Sequence, residues 1–434
     1  MYNKFFILAC SIFILSTSCS SNDDPIISSG NPVENPEQPN DPEPTDNIVV
    51  YEPDLFEDSY VLAIENGGTK SYILNKEGHK VKQWNFNKNM GQDLELLDNG
   101  QLLGMFKVDT PVISFPGYGG IIRLINPDGS IDWEFEYYSD NYISHHDLDR
   151  LPNGNILFIA WERIETDVAQ QNGVDGGGNI FTETLIEVNP ETDEIVWKWH
   201  SWDHIVQEFD NTLPNYGIVS DNPHLININY NEASTSNLMH FNGLDYDEEK
   251  DVIYVTVNYY SEVWVIDHST TTAEASEHVG GNYNRGGDLI YRFGNPTAYN
   301  NMEGERIFYN CHFPNLIEGG IPGHGNMLVY NNGNNFSQSS VMEIEIPLFS
   351  LNPNFNNEPN VVWSFTDPSL YSPFISGAVR LNNGNTLICE GTYGFWEITP
   401  NGDVAWKYEG ANQESFWRCY NYLPNSDAII NLGL

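Results

Sequence analysis

The sequence predicts an all-β chain whose main domain is a six-bladed propeller. Three observations carry this. Gly (36) and Pro (24) are plentiful and NG, DG and PNG turns recur, the punctuation of short antiparallel strands. From about Tyr60 onward one pattern returns six times: an apolar residue, a turn with Asn or Asp and Gly, then a strand with an aromatic at a fixed place. The units average roughly 60 residues, each long enough for several strands, a periodicity that a propeller explains better than two sandwiches.

In chain order, Lys4 comes first, then the apolar run FFILACSIFIL and STSCSSNDD. The run is too short for a comfortable membrane span, so residues 1–18 read as an export signal. Small residues leading into Cys19 resemble a bacterial lipobox, in which Cys19 becomes the lipidated first residue; an ordinary cleaved signal with an incidental cysteine is the alternative. SSNDD resembles an acidic surface-export tag. The expectation is an exported lipoprotein of the outer membrane, on its periplasmic side or at the cell surface, touching the membrane through its lipid alone. Residues 19–46, with SSGNPVENPEQPNDPEPTDN, hold too little apolar surface to order themselves and read as a tether. The propeller is expected over 47–434. Apart from Cys19, it carries Cys311, Cys389 and Cys419, an odd set that allows at most one bridge.

Asp and Glu total 61 against 18 Lys and Arg, a formal charge of −43. A phosphate backbone is repelled by such a surface, which excludes nucleic acid as a partner. An anionic substrate needs local donors to overcome the same field.

The fixed aromatic is Trp84, Trp133, Trp197, Tyr291, Trp363 and Trp406 in successive units. Each blade is a small sheet that cannot cover both faces alone, and stacking around an axis buries those faces with the aromatics wedged between neighbours. The last unit ends after its first strands. SYVLAIENGGTKSYILNKEG near the start, which precedes any Trp, is expected to supply the outer strands of that blade and close the ring.

The innermost strand of a propeller blade lines the central channel. Aligning the units on the turn after that strand places Gln92, His146, Ser376 and Arg418 at equivalent positions, and in the third and fourth units, whose turns are longer or altered, the pattern places His240 and His312 there. Three of the chain's 11 histidines thus converge on one mouth. His145, next to His146, is expected to point to the opposite face. Three imidazoles also suit zinc, but no short-spaced pair and no equivalent carboxylate accompanies them, so neither a metal nor another cofactor is expected. A buried structural histidine remains the plain alternative for any one of them.

HHDLDRLPNGNILFIA, MHFNGLDYDEEKDVIYVTVNYYSEVWVID, GDLIYRFGNP and CHFPNLIEGG…GHGNMLVYNNGNN, in this order, resemble the bacterial arylsulfotransferases. That resemblance implies an exported enzyme that does not use PAPS. It passes a sulfuryl group from an aryl sulfate to a phenol by ping-pong transfer through a sulfohistidine. It implies His312 as the nucleophile and His146 and His240 as holders of the sulfuryl oxygens. Asn258 stands where the family carries an arginine, and Arg418 is the candidate replacement charge; Gln92 and Ser376 complete the expected substrate-binding set. Phe241, Phe313 and Tyr371 are candidates to stack on a phenolic ring. The family's N-terminal sandwich and active-site disulfide have no counterpart here, so a monomer is expected. Two other readings stay open: a surface ligand-binding propeller without catalysis, and a metal-dependent hydrolase or lyase using the channel histidines.

Overall fold

Asn-, Asp- and Gly-rich turns fold the chain into successive antiparallel meanders in the computed structural model, which describes residues 43–230, 235–411 and 414–434. The expected export signal, Cys19 and most of the expected tether lie outside the described residues. A short strand β1 (Ile48–Tyr51) precedes β2 (Tyr60–Glu65), β3 (Lys70–Leu74) and β4 (Lys80–Asn85). There follow β5 (Met90–Leu96), β6 (Leu102–Lys107), β7 (Gly120–Ile125) and β8 (Ile131–Glu136), then β9 (Tyr142–Arg150), β10 (Ile156–Ile164), β11 (Ile180–Asn189) and β12 (Glu194–His200). A small parallel pair, β13 (Ile205–Val206) and β14 (Ile226–Asn227), leads to β15 (Phe241–Asp247), β16 (Val252–Val257), β17 (Glu262–Asp267) and β18 (Tyr291–Phe293). The last strands are β19 (Cys311–Leu316), β20 (Met327–Asn331), β21 (Ser340–Glu345), β22 (Asn360–Phe365), β23 (Gly377–Arg380), β24 (Thr386–Glu390), β25 (Gly394–Ile398), β26 (Val404–Glu409) and β27 (Phe416–Tyr422). Helices are few: α1 (Thr166–Gln171), α2 (Asp427–Leu432) and short 3₁₀ turns. Among the described residues no helix is long and apolar enough to cross a membrane.

The leading strands β27, β5, β9, β15, β19 and β23 touch one another in a closed cycle, which makes the all-β domain a propeller. The sheets do not divide into six separate four-stranded units, as expected from the repeat. Three stand alone with four strands, and the sheet of β23–β26 gains β1 as a fifth. β5–β8 and β9–β12 are fused into one eight-stranded sheet by a single parallel bridge, Gln92 to His146, where two leading strands meet at the axis.

The recurrent aromatics all fall on the last strand of a meander, where three of the indoles tie one meander to the next. Trp133 Nε1 donates to Asp193 Oδ1 at 2.8 Å, Trp363 Nε1 to the Pro400 carbonyl at 3.1 Å and Trp406 Nε1 to the Lys76 carbonyl at 2.7 Å. Each acceptor lies in a turn of the following meander. Trp406 is fully buried, and truncating such a side chain to Ala costs about 3–5 kcal/mol.

β27 pairs with β2, so the two ends of the domain share one sheet. The sequence after β27, however, forms α2 and not the expected second strand. β2 already occupies that place, and Ser426 precedes a helical stripe whose Ala428, Ile429 and Leu432 bury into the core beside Leu96 and Leu102.

Candidate functional site

Near the axis the leading strands break register. Shifts fall between Met90 and Leu94 on β5, at the β9–β10 pairing beside His146, between Phe241 and Gly243, and between His312 and Pro314. Non-glycine residues take left-handed backbone there: Gln92 (φ 117°), His146 (57°), His240 (58°), Phe313 (56°) and Ser376 (91°). Such conformations cost on the order of 1–3 kcal/mol each and persist only where the surroundings over-determine them. The bulge also breaks strand alternation, so His145 does not point away. Its Nδ1 lies 2.7 Å from Nδ1 of His146, which corrects the expectation for it.

His312 is buried, and its partners settle its tautomer. Asn332 donates its amide to the Ser372 carbonyl (2.8 Å) and the Ile375 carbonyl (3.1 Å), which aims its Oδ1 at His312 Nδ1, 2.6 Å away. An amide oxygen only accepts, so the proton sits on Nδ1 and the lone pair on Nε2. The Ile375 N–H approaches that Nε2 at 3.2 Å. Burial pushes the imidazole down to about 4, against the smaller upward pull of Asn332, so it is neutral at pH 7.

His146 ends a buried relay. His145 Nε2 lies 2.8 Å from Glu183 Oε2, and Glu183 Oε1 accepts from Trp161 Nε1 and the Phe241 N–H, both at 3.0 Å. Burial holds Glu183 well above the usual carboxylate range and His145 well below the usual imidazole range, so the pair is neutral. The proton of Glu183 then faces His145 Nε2, and the proton on His145 Nδ1 faces His146 Nδ1. His146 is left with an Nε2–H donor. Gly117 packs against this ring: a Cβ there would lie 2.1 Å from Cε1 and 2.2 Å from Nε2, at φ +90°.

His240 stands 4.7 Å from His146 between ring centroids and stacks on Tyr259 at 4.8 Å. The amide of Asn237 donates to its Nδ1 at 2.8 Å, which again leaves Nε2–H as a donor. Burial, then His145 and His312, push it down to about 3. His312 also disfavours the charge on His146, so the three rings feel one another electrostatically. Trp417 lies 5.6 Å from His146 and 6.2 Å from His312, and among the described residues neither its buried indole N–H nor Oε1 of Gln92 has a hydrogen-bond partner. The structure therefore brings together His312, His146, His240 and Gln92.

Other expected residues have different surroundings. Arg418 is clamped by Asp147, both contacts 2.9 Å, with Asp93 at 3.5 Å and the Phe313 ring 3.8 Å from its Cζ. Its field still disfavours protonation of His146 and His312, but its terminal nitrogens are spent on carboxylates and a carbonyl. Asn258 accepts from Asn310 Nδ2 at 3.1 Å and donates its N–H to the His240 carbonyl at 3.2 Å. Ser376 Oγ accepts from the Gly391 N–H. Phe241 is core, packed on Trp199 and Trp264, Phe313 backs Arg418, and Tyr371 is half-buried. Tyr259, half-buried on His240, is the aromatic that sequence reasoning missed. It also missed Asn332, Glu183, Trp161 and Trp417.

A cavity of about 1100 Å³ opens beyond Arg418 at the turn end of the leading strands. Asp147, Phe313 and Arg418 line it with Glu95, Asp149, Asp245 and Glu318, and none of the three channel histidines does. Cys311, Cys389 and Cys419 are buried free thiols. The donor atoms of the channel histidines do not gather within 4.8 Å as a set, unlike those of His204, His278 and Asp288 elsewhere among the described residues.

A family model described as Arylsulfotransferase (ASST) matches residues 33–415. Among curated proteins none matches the chain. Among solved structures, the chain is similar to the β-propeller domain of Cps50 (Swd1) from Myceliophteria thermophila, at 10% identity and TM-score 0.39, over 86% of this chain and 91% of that one. It is also similar to the WD40 domain of Toxoplasma gondii coronin, at 10% identity and TM-score 0.37, over 85% and 69%.

Proposed function

The chain belongs to the arylsulfotransferase family, and from that premise we propose that it moves a sulfuryl group from an aryl sulfate ester to a phenol through a sulfohistidine on His312. The observation that carries this reading is the tautomer of His312. Asn332 holds the proton on Nδ1, so Nε2 presents a lone pair from a ring that is neutral at pH 7. His146 and His240 have the opposite tautomer and present Nε2–H donors.

In the first half-reaction the Nε2 lone pair of His312 attacks sulfur, and the S–O bond to the aryl oxygen breaks. The bonding pair leaves with the phenolate. His146 Nε2–H gives that oxygen its proton. His146 is refilled at Nδ1 by His145, and His145 at Nε2 by Glu183, whose carboxylate is then held by the Trp161 and Phe241 N–H groups. His240 Nε2–H, the Trp417 indole and the Ile375 N–H, once substrate displaces it from Nε2, are donors for the sulfuryl oxygens. In the second half-reaction the acceptor phenol attacks sulfur, the N–S bond breaks back to His312, and the phenol proton returns along the same relay. Tyr259 offers a face for the aryl ring.

Under this reading the fused eight-stranded sheet counts as two blades, giving six around the channel. Residues 1–18, Cys19 and 19–46 would be signal, lipid anchor and tether, and the chain an outer-membrane lipoprotein acting as a monomer.

The clamping of Arg418 by Asp147 and Asp93, with Asn258 in place of a guanidinium, favours a second reading: a binding propeller without turnover. Phenol release from 4-nitrophenyl sulfate separates the two. Release that rises with acceptor concentration and gives parallel double-reciprocal lines supports transfer, whereas saturable heat of binding without release supports the binding propeller.

A further inference from the structure

We infer that His204, His278 and Asp288 form a site for a divalent transition metal, with zinc the best match, separate from the set of channel histidines. His204 closes the 3₁₀ turn Ser201–His204 after β12, while His278 and Asp288 lie in the long segment between β17 and β18. Asp288 Oδ1 stands 2.8 Å from His204 Nδ1 and 2.7 Å from His278 Nδ1, and the donor atoms all fall within 4.8 Å of one another.

The geometry points to a cation. His204 Nε2 lies 2.9 Å from the Ala275 carbonyl, which only accepts, so Nε2 carries a proton and Nδ1 is the nitrogen turned to Asp288. A second imidazole converges on the same carboxylate oxygen. Three donor atoms drawn to one point suit a single metal ion, which takes the place of the protons shared there. An imidazole that donates its far N–H to a backbone carbonyl while its near nitrogen binds metal is the usual outer-shell arrangement for a histidine ligand.

The surroundings hold this donor set in place. His204 is buried and stacks on Trp199 at 5.8 Å with planes 5° apart. Behind it, a Cβ on Gly287 would fall 2.4 Å from His204 Nε2 and 2.1 Å from the Ala275 carbonyl, so only glycine fits. His278 is 60% exposed in its side chain, which leaves an entry path and room for a water as fourth ligand. Zinc bonds of about 2.0–2.2 Å require the donors to spread by a few tenths of an ångström, a movement the exposed His278 can make. Two imidazoles with one carboxylate favour zinc over calcium or magnesium, and a chain of charge −43 attracts cations. The metal would clasp the β17–β18 segment to the turn after β12.

The test uses the untagged full chain, stripped with chelator and equilibrated with micromolar zinc, with metal per chain counted by elemental mass spectrometry and Tm followed in parallel. The expected result is one zinc per chain and a raised Tm for the wild type, the same stoichiometry for His312→Ala, and loss of both the zinc and the Tm rise in His278→Ala and Asp288→Asn. His278 is exposed, so its alanine variant folds. A wild type that retains no zinc, or zinc that survives His278→Ala and disappears from His312→Ala, overturns the inference.

Discussion

Replacing Asn332 with alanine should cripple transfer without touching any reacting atom. The 2.6 Å bond from His312 Nδ1–H to Asn332 Oδ1 is what keeps Nε2 basic. A neutral hydrogen bond is worth about 1 kcal/mol net, so its loss alone relaxes the tautomer preference about fivefold. The variant also strips donors from the Ser372 and Ile375 carbonyls, at 2.8 and 3.1 Å, and so loosens the peptide whose N–H touches Nε2. Together these effects amount to about 2–3 kcal/mol in the transition state, or a fall in kcat/KM of about 30- to 150-fold. The assay is release of 4-nitrophenol from its sulfate ester with phenol as acceptor, across pH. In the wild type kcat/KM should be flat from pH 8 to about 5, because His312 titrates at about 4 and not near 6.5. Asn332→Asp keeps an acceptor at Nδ1 and so keeps the tautomer, while its negative charge moves the acid limb upward. An alanine variant within twofold of wild type, or an acid limb that stays put in Asn332→Asp, would refute the reasoning.

Gly117→Ala puts a methyl 2.2 Å from His146 Nε2 at φ +90°, and should lower kcat/KM by at least tenfold and Tm by several degrees; steady-state kinetics and calorimetry read both. Glu183→Gln preserves the shape and the direction of the hydrogen bonds to His145 but cannot supply a proton, so kcat should fall about 10²-fold or more with KM and Tm nearly unchanged. Stability should fall as pH rises above neutrality. Burial, then Asp147, push Asp93 up to about 8, and burial pushes Asp149 up to about 6, so the stability these acids contribute is lost as pH rises through those values. His240 and His312, held at about 3 and 4, contribute stability above pH 6.5 that is lost as pH falls toward those values. Tm should therefore rise on acidifying from pH 8 to about 6.5 and level off between about 6 and 4, where the gain from the two acids offsets the loss from the two histidines, and a Tm that climbs steadily with pH would contradict these assignments.

The sequence carried the outer architecture because turn residues and fixed aromatics act locally. Trp133, Trp363 and Trp406 sit where a strand meets the next sheet, and the spacing of the repeat registers that. It carried the position of His146 because that follows from counting back along one strand, and those of His240 and His312 because the surrounding pattern repeats where the turns differ. It did not carry their tautomers. Those depend on Asn332, Glu183 and Asn237, which reach the rings across strands and loops with no fixed spacing. One signal was available: Asn332 follows β20 as Asn258 follows β16, so an asparagine ends the second strand of two successive meanders. His145 was misplaced because strand alternation fails at a bulge, and a positive φ on a histidine leaves no mark in the sequence. Arg418 was legible as a charge on the axis, but not as a charge neutralised by Asp147, because the two lie 271 residues apart.

The most direct test of the account is the site of covalent attachment. The enzyme is mixed with an aryl sulfate in the absence of acceptor, quenched in alkali within milliseconds, digested and mapped by mass spectrometry. The account predicts one SO₃ group on the peptide that contains His312, carried on Nε2, discharged by added phenol and absent from His312→Ala. An adduct on His146 or His240, or phenol release with no adduct on any histidine, would contradict it.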